Sequence, residues 1–235
     1  MDLLARLAED PLRAGLLLDV DGVLAPIVPR PEDARVPEAT RAELRRLVAR
    51  YALVACISGR AGSDAERIVG VPDVVYVGNH GLERSPDAPA WTARLSAFLE
   101  QVDWPRLEDK GMTAALHYRG VSDESAAVVH LEQIAASARS EGFRTRFGRK
   151  VLEILPPIDA SKGTAVRALL AERGLGRALY AGDDTTDLDG FRALDGLELA
   201  VRVAVASPEG PEELRMKADI VVASPAEALE LLRKL

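Results

Sequence analysis

One cysteine, Cys56, in 235 residues leaves no disulfide framework, and its apolar neighbours in "LVACISGR" predict a buried, inert thiol in a reducing compartment. There is no basic excess: 37 acidic residues against 30 basic ones give a formal charge of −7, which argues against a general nucleic-acid binder. No apolar run approaches the roughly 18 residues of a membrane span, and the early acids in "MDLLARLAED" interrupt any segment of leader length. Low-complexity linkers and internal repeats are missing too. With only 18 Gly and 14 Pro beside 48% hydrophobic residues, the chain reads as compact and globular. The expectation is a cytoplasmic monomer whose partner is a small molecule, with no nucleic acid and no membrane.

What is present is an alternation of strand-length apolar runs with helical patterns. "GLLLDV" precedes "VPEATRAELRRLVARY", in which Leu44, Leu47, Val48 and Tyr51 recur at helical spacing and Pro37 suits the first turn. "LVACIS", a short helix opened by the capping-box pair Ser63 and Glu66, and "VVYVGN" complete a βαβαβ order. Parallel neighbours need crossover connections, so this order predicts a parallel sheet covered on both faces.

After Glu83 the rhythm changes. A Pro-rich turn leads to a helix with Trp91, Leu95, Phe98, Leu99 and Val102 on one face. "GMTAALHYRG" then reads as a strand, "SDESAAVVHLEQIAASARS" as a helix, and "FRTRF" and "KVLEIL" as strands around the turn residue Gly148. The earlier pattern returns with "SKGTAVRALLAERG", "ALYAGD", "LELAVRVAV" and "ADIVVASPAEALELLRKL". The predicted fold is α/β, a doubly wound parallel sheet from residues 1–83 and 156–235 with a smaller α/β unit, 84–155, inserted.

Asp19 and Asp21 interrupt the apolar run "LLLDVDGVLAPI", and ionised carboxylates in such a setting need a cation, a donor or water. In an open parallel sheet the crevice lies at the carboxyl ends of the strands, where strand order reverses. Asp19 ends the first strand, and Asp183 in "LYAGDDTTDLDGF" ends the first strand after the insertion. If the chain winds through three strands and then returns, these two strands are neighbours. Converging acids with oxygen donors and no His or Cys cluster point to Mg²⁺. Aspartate is also a nucleophile toward phosphorus. Taken alone, "DVDGV" reads equally as a turn with capping acids, Ser58 as a loop cap and Lys162 as a surface lysine. Taken in order, Ser58 and the N–H groups of Gly59 and Arg60 can receive phosphate oxygens. Lys162 in "DASKGTA" adds its charge to the positive end of a helix.

The four motifs "DVDGV", "SGR", the lysine of "SKG" and "GDDTTD" resemble, in that order, those of the haloacid dehalogenase-like (HAD) phosphatase superfamily, over almost the whole chain. The insertion resembles that superfamily's α/β cap, and "GDDTTDLDGF", "VGNHGLE", "LHYRG" and "VLEILPP" narrow the resemblance to trehalose-6-phosphate phosphatases. One position departs from it: Leu188 stands where that family commonly has an acid, while Val23 in place of a frequent threonine is an accepted variation of the first motif. The resemblance implies a HAD-like Rossmannoid core and Mg²⁺-dependent hydrolysis of a sugar phosphate. Asp19 would attack phosphorus, and Asp21 would serve as acid and then base. Asp19, Asp183 and the main-chain carbonyl of Asp21 would hold the metal, while Ser58 and Lys162 bind phosphate oxygens.

Several roles stay open under this resemblance. Asp187 would support the metal shell or cap the next helix, and Asp184 would be a water-mediated ligand or lie one layer further out. Lys110, Arg119, Lys150 and Glu153 of the cap would grip sugar hydroxyls, or form salt bridges on a solvated face. Asn79, His80 and Gly81 would shape the entrance, or close a strand-end turn. His117 is structural or functional, and His130 receives no role. Phosphatases of another sugar phosphate, such as a sucrose or glucosylglycerate phosphate, compete with this reading, as does a non-catalytic sugar-phosphate sensor. The intact Asp19, Asp21, Lys162 and Asp183 argue against the sensor. The basic stretch "RTRFGRK" invites a nucleic-acid reading, but strand alternation accounts for it by placing Phe143 and Phe147 on one face and Arg144 and Arg146 on the other.

Overall fold

A computed structural model describes residues 2–28, 30–148, 150–207 and 210–235. The chain forms two compact units, Met1–Gly81 with Ala160–Leu235, and Leu82–Asp159. In the first unit β1 (Ala14–Leu18), β2 (Leu53–Ile57) and β8 (Arg177–Gly182) are buried at every residue, the pattern of central parallel strands covered on both faces. With β3 (Val75–Val77), β9 (Leu199–Val205) and β10 (Ile220–Val222) they form a parallel sheet in the order β10-β9-β8-β1-β2-β3. Strand order reverses between β1 and β8, which pair from Ala14↔Arg177 to Leu18↔Ala181.

Helices cover both faces. Leu4 and Leu7 of α1 (Leu3–Ala8), Leu44 and Leu47 of α2 (Glu38–Val48), Ile68 of α3 (Gly62–Val69) and Leu231 of α9 (Pro225–Leu232) share one apolar cluster with Leu16, Leu18, Val54 and Cys56. Val166 and Leu169 of α6 (Lys162–Glu172), Leu188 and Phe191 of α7 (Asp187–Ala193) and Leu214 of α8 (Glu212–Lys217) pack with Leu17, Ala55 and Ile57 on the other. Cys56 is fully buried, and burial pushes its thiol up.

Some local expectations need correction. The capping box of Ser63 and Glu66 does not form, because α3 starts two residues earlier, with Ala61 at the N-cap and no side-chain cap. Ser63 is thus inside the first turn, where its backbone is already helical and its side chain cannot cap the end. Pro37 lies at the N-cap of α2 and not within its first turn.

The second unit is a two-layer α/β structure. Its strands β4 (Leu107–Asp109), β5 (Ala114–His117), β6 (Arg144–Gly148) and β7 (Val151–Leu155) form an antiparallel sheet in the order β4-β5-β7-β6. Leu95, Phe98 and Leu99 of α4 (Ala88–Leu99) and Leu131, Ile134 and Ala135 of α5 (Glu124–Ser140) cover Ala114, Leu116, Leu152 and Ile154. The opposite face carries Glu153 and Arg146, directly paired across β7 and β6. Phe143 enters the core against Trp91, with ring centroids 5.2 Å apart. Phe147 does not join it: at the far end of β6 it remains 36% exposed. Arg149 of the basic stretch lies outside the described residues. No helix among them is long and apolar enough to cross a membrane.

Candidate active site

Asp19 follows β1 directly, and its N–H still donates to the Ala181 carbonyl of β8 at 2.9 Å. One carboxylate oxygen accepts the Val20 N–H at 2.8 Å; the other lies 2.8 Å from Lys162 Nζ. Lys162 is fixed by the start of α6. Ser161 and Thr164 form a reciprocal capping box there, so the lysine is the first helical residue. Its ammonium, 2% exposed, also donates to Asp187 Oδ1 at 2.7 Å.

Asp187 is the hub of this buried network. Oδ1 accepts from Lys162 and from the Tyr180 hydroxyl at 2.7 Å, while Oδ2 accepts the N–H groups of Asp183 and Asp184, both at 2.9 Å. It therefore braces the segment after β8 and does not cap α7, whose N-cap, Thr186, makes no side-chain cap bond. Asp184 is exposed. Asp183 closes the group, with oxygens of Asp19, Asp183 and Asp187 all within 4.8 Å of one another. None of the described residues donates a hydrogen bond to the Asp183 carboxylate. The turn after Asp21 comes so close to it that a Cβ on Gly22, whose φ is +76°, would lie 2.1 Å from Asp183 Oδ2.

Electrostatically the site lacks positive charge. Three carboxylates face one ammonium, so with all three ionised two negative charges would be unbalanced. Burial first, then Asp187 against the partial relief from Lys162, pushes Asp183 up to about 7. Burial, opposed by Lys162 and reinforced by Asp187, pushes Asp19 up to about 8. Lys162 is held above its usual value, because the two aspartates outweigh the cost of its burial. An oxygen-only donor set with two uncompensated charges and an unengaged carboxylate fits a hard divalent cation.

The remaining predicted residues of the first unit stand around this group. Ser58 is buried beyond β2, and its Oγ accepts the Arg60 N–H at 3.1 Å. Asn79, His80 and Gly81 all have positive φ and fold back onto the serine turn: His80 N–H donates to the Ser58 carbonyl at 2.9 Å and Asn79 N–H to the Arg60 carbonyl at 2.7 Å. A Cβ on Gly59 would lie 2.7 Å from the His80 ring. The Asp21 carboxylate is not among the converging three. Arg60 takes both of its oxygens, Nε to Oδ2 at 2.6 Å and Nη2 to Oδ1 at 2.8 Å.

In the second unit each candidate meets a neighbour of the same unit. Lys110 faces Glu108 at 3.6 Å, and Lys150 pairs with Glu124 while lying 5.8 Å from the Tyr118 ring centroid. Arg119 accepts a hydrogen bond from Arg106 through its carbonyl, and Glu153 accepts from Arg146 Nε at 2.8 Å. His117 bonds Glu108 at 3.0 Å, and His130 meets the Trp104 ring edge-on. Leu188, the departure in the fourth motif, is buried in the apolar layer and does not line the acid cluster. Sequence reasoning missed Tyr180. The available signal was a hydroxyl within the otherwise aliphatic "ALYAGD", three residues before the first of the acids.

The family model described as trehalose-phosphatase matches residues 17–225, which include every residue of this cluster. The chain belongs to the trehalose-phosphatase family. A probable trehalose-phosphate phosphatase 2 of Oryza sativa subsp. japonica is 30% identical over 264 residues, covering 95% of this chain and 68% of that protein. A trehalose-phosphate phosphatase of Mycobacterium avium is 34% identical over 202 residues, 77% of this chain and 51% of its own. Among solved structures, the C-terminal domain of the C. albicans trehalose-6-phosphate phosphatase superposes with a TM-score of 0.68 at 22% identity, covering 98% of this chain and 94% of that one. A haloacid dehalogenase-like hydrolase shares the fold at a TM-score of 0.60. For this trehalose-phosphatase family member, the predicted α/β fold with its HAD-like parallel sheet is therefore the observed one.

Proposed function

We propose that this protein hydrolyses trehalose 6-phosphate to trehalose and inorganic phosphate, with Asp19 as nucleophile. The observation that carries the reading is Asp19 itself: a buried carboxylate at the end of a central strand, 2.8 Å from a buried lysine and beside two further acids. A solvated cap or turn residue needs no such surroundings. Family membership supplies the substrate.

In the first step an Asp19 oxygen forms a bond to phosphorus, and the bond from phosphorus to the sugar oxygen breaks with its electron pair leaving on that oxygen. Asp21 supplies the proton that oxygen needs. In the second step water attacks the aspartyl phosphate, Asp21 takes the proton, and phosphate leaves as Asp19 is restored. Lys162 holds Asp19 in place and offsets charge on the phosphate, and Ser58 is assigned a phosphate oxygen. Asp187 keeps Lys162 and the Asp183 backbone fixed. Asp19, Asp183 and the Asp21 carbonyl are the proposed ligands of Mg²⁺, which when bound supplies charge neutralisation between an anionic nucleophile and an anionic ester. Recognition of the sugar is assigned to Lys110, Arg119, Lys150 and Glu153, and the site entrance to Asn79, His80 and Gly81.

Phosphate release from a panel of trehalose, sucrose and glucosylglycerate phosphates tests the substrate. The expected result is a preference for trehalose 6-phosphate that disappears with Asp19→Asn, whose amide keeps the shape but not the nucleophile. A folded Asp19→Asn protein with full turnover would remove Asp19 from the chemistry. Preference for another ester would keep the mechanism and replace the substrate.

A further inference from the structure

The sequence assigns Arg60 to the substrate; the geometry points to a different task. We infer that Arg60 is a positioning residue that holds Asp21, and that Asp64 holds Arg60. Nε and Nη2 donate to the two oxygens of Asp21 at 2.6 and 2.8 Å, the two-pronged arrangement in which a planar guanidinium fixes both the position and the plane of a carboxyl group. The remaining nitrogen, Nη1, donates to Asp64 Oδ2 and to the Pro31 carbonyl, each at 3.0 Å. All three nitrogens are thus engaged by the protein on a side chain only 16% exposed. Asp64, at the third position of α3, is itself anchored by Arg67 Nε at 3.1 Å.

The backbone around Asp21 is already fixed. Gly22 N–H donates to the Ala25 carbonyl at 2.8 Å, and Asp21 bridges Ala25. What remains free is rotation of the Asp21 side chain, and that is the freedom Arg60 removes. A carboxyl that gives a proton to one oxygen and then takes one from water must point at the same place twice. Misplacement by about 1 Å can cost on the order of a hundredfold in rate. Four of the five guanidinium hydrogens are taken by Asp21, Asp64 and Pro31, so a phosphate oxygen could claim more than the second Nη2 hydrogen only by displacing one of them.

This inference rests on the proposed hydrolysis, and its test uses p-nitrophenyl phosphate beside trehalose 6-phosphate so that the two can fail separately. Arg60→Lys keeps the charge and loses the fork. It is expected to lower kcat by about tenfold to a hundredfold, while KM and the inhibition constant for inorganic phosphate stay within about threefold. Asp64→Asn, further from the site, should shift kcat in the same direction by less, and it serves where Arg60→Lys folds poorly by circular dichroism. On an Asp21→Asn background, adding Arg60→Lys should cost no further p-nitrophenyl phosphate turnover, because a residue acting only through Asp21 has nothing left to position. A rise of tenfold or more in KM and in the phosphate inhibition constant, or a full additional loss on that background, would make Arg60 a phosphate ligand and overturn the inference. Activity on p-nitrophenyl phosphate without activity on trehalose 6-phosphate would sink the substrate alone.

Discussion

Four donors converge on Asp187, and at the scale of single residues this is what sets the site's geometry. A carboxylate that accepts from an ammonium, a phenol and two backbone N–H groups is a fixed point around which Lys162, Asp183 and Asp19 are arranged. Tyr180→Phe tests the arrangement gently, since it keeps the ring against Phe191 and removes only the hydroxyl. Loss of a hydrogen bond to a charged group should lower stability by about 1.5–3 kcal/mol, read as a shift in urea midpoint at constant slope. An unchanged midpoint would mean that Tyr180 contributes packing alone. Asp19, Ser58, Lys162 and Asp183 were legible in the sequence because each sits just after a strand or at the start of a helix, where chain order alone says which way the crevice lies. Tyr180 was not, because a lone hydroxyl in an aliphatic strand does not say which partner it meets, and that partner, Asp187, lies across a turn. The Arg60–Asp21 pair was not either: residues 39 apart meet there only because β1 and β2 are neighbours.

At the scale of elements, the fixed point depends on how closely α6 approaches α7. Gly163 is where they meet, and a Cβ there would lie 2.4 Å from the Asp189 carbonyl oxygen, a backbone atom that cannot swing aside. Gly163→Ala should therefore destabilise by about 1–3 kcal/mol as an overpacked core site does, despite alanine's better helix propensity. It should also reduce turnover, since Lys162 is the adjacent residue. A more stable, fully active variant would show that the helices adjust freely. In the second unit, Glu153 tests recognition. Its pair with Arg146 lies on the open sheet face, with the arginine 69% exposed, and such surface pairs contribute at most about 1 kcal/mol. Glu153→Ala should leave the fold intact, so a selective loss of kcat/KM for trehalose 6-phosphate, with p-nitrophenyl phosphate spared, would report contact with sugar. Equal losses on both substrates would point to the fold instead. The central strands were readable because a strand covered on both faces must be apolar throughout. β4 was not, for it has three residues, none of them buried. The capping box in "SDAE" was misread because a cap is defined by where the backbone turns helical, and chain order does not fix that to one residue.

For the whole molecule, the buried acids link stability to both pH and divalent cation. Asp19 is pushed up to about 8 and Asp183 to about 7, from usual values of 3.8, by burial and by Asp187, against the opposing charge of Lys162. Between pH 4 and pH 8 the folded, cation-free protein therefore holds more protons at these two groups than the unfolded chain does. The unfolding free energy falls with rising pH wherever the native state binds more protons, so their contribution is complete below about pH 4 and gone by about pH 8. A cation binds the ionised carboxylates and must displace those protons, so it should bind more tightly as pH rises and should restore what deprotonation removes. The expected outcome in EDTA is a melting temperature that falls from pH 5 to pH 8, with added Mg²⁺ raising it more at pH 8 than at pH 5. Asp183→Asn isolates the effect from every other titrating group. By removing one of the two raised acids and a proposed ligand together, it should flatten the pH slope and weaken the response to Mg²⁺. An EDTA-treated protein that grows more stable toward pH 8 and ignores Mg²⁺, with Asp183→Asn behaving identically, would show that the two excess charges are balanced by something other than a cation.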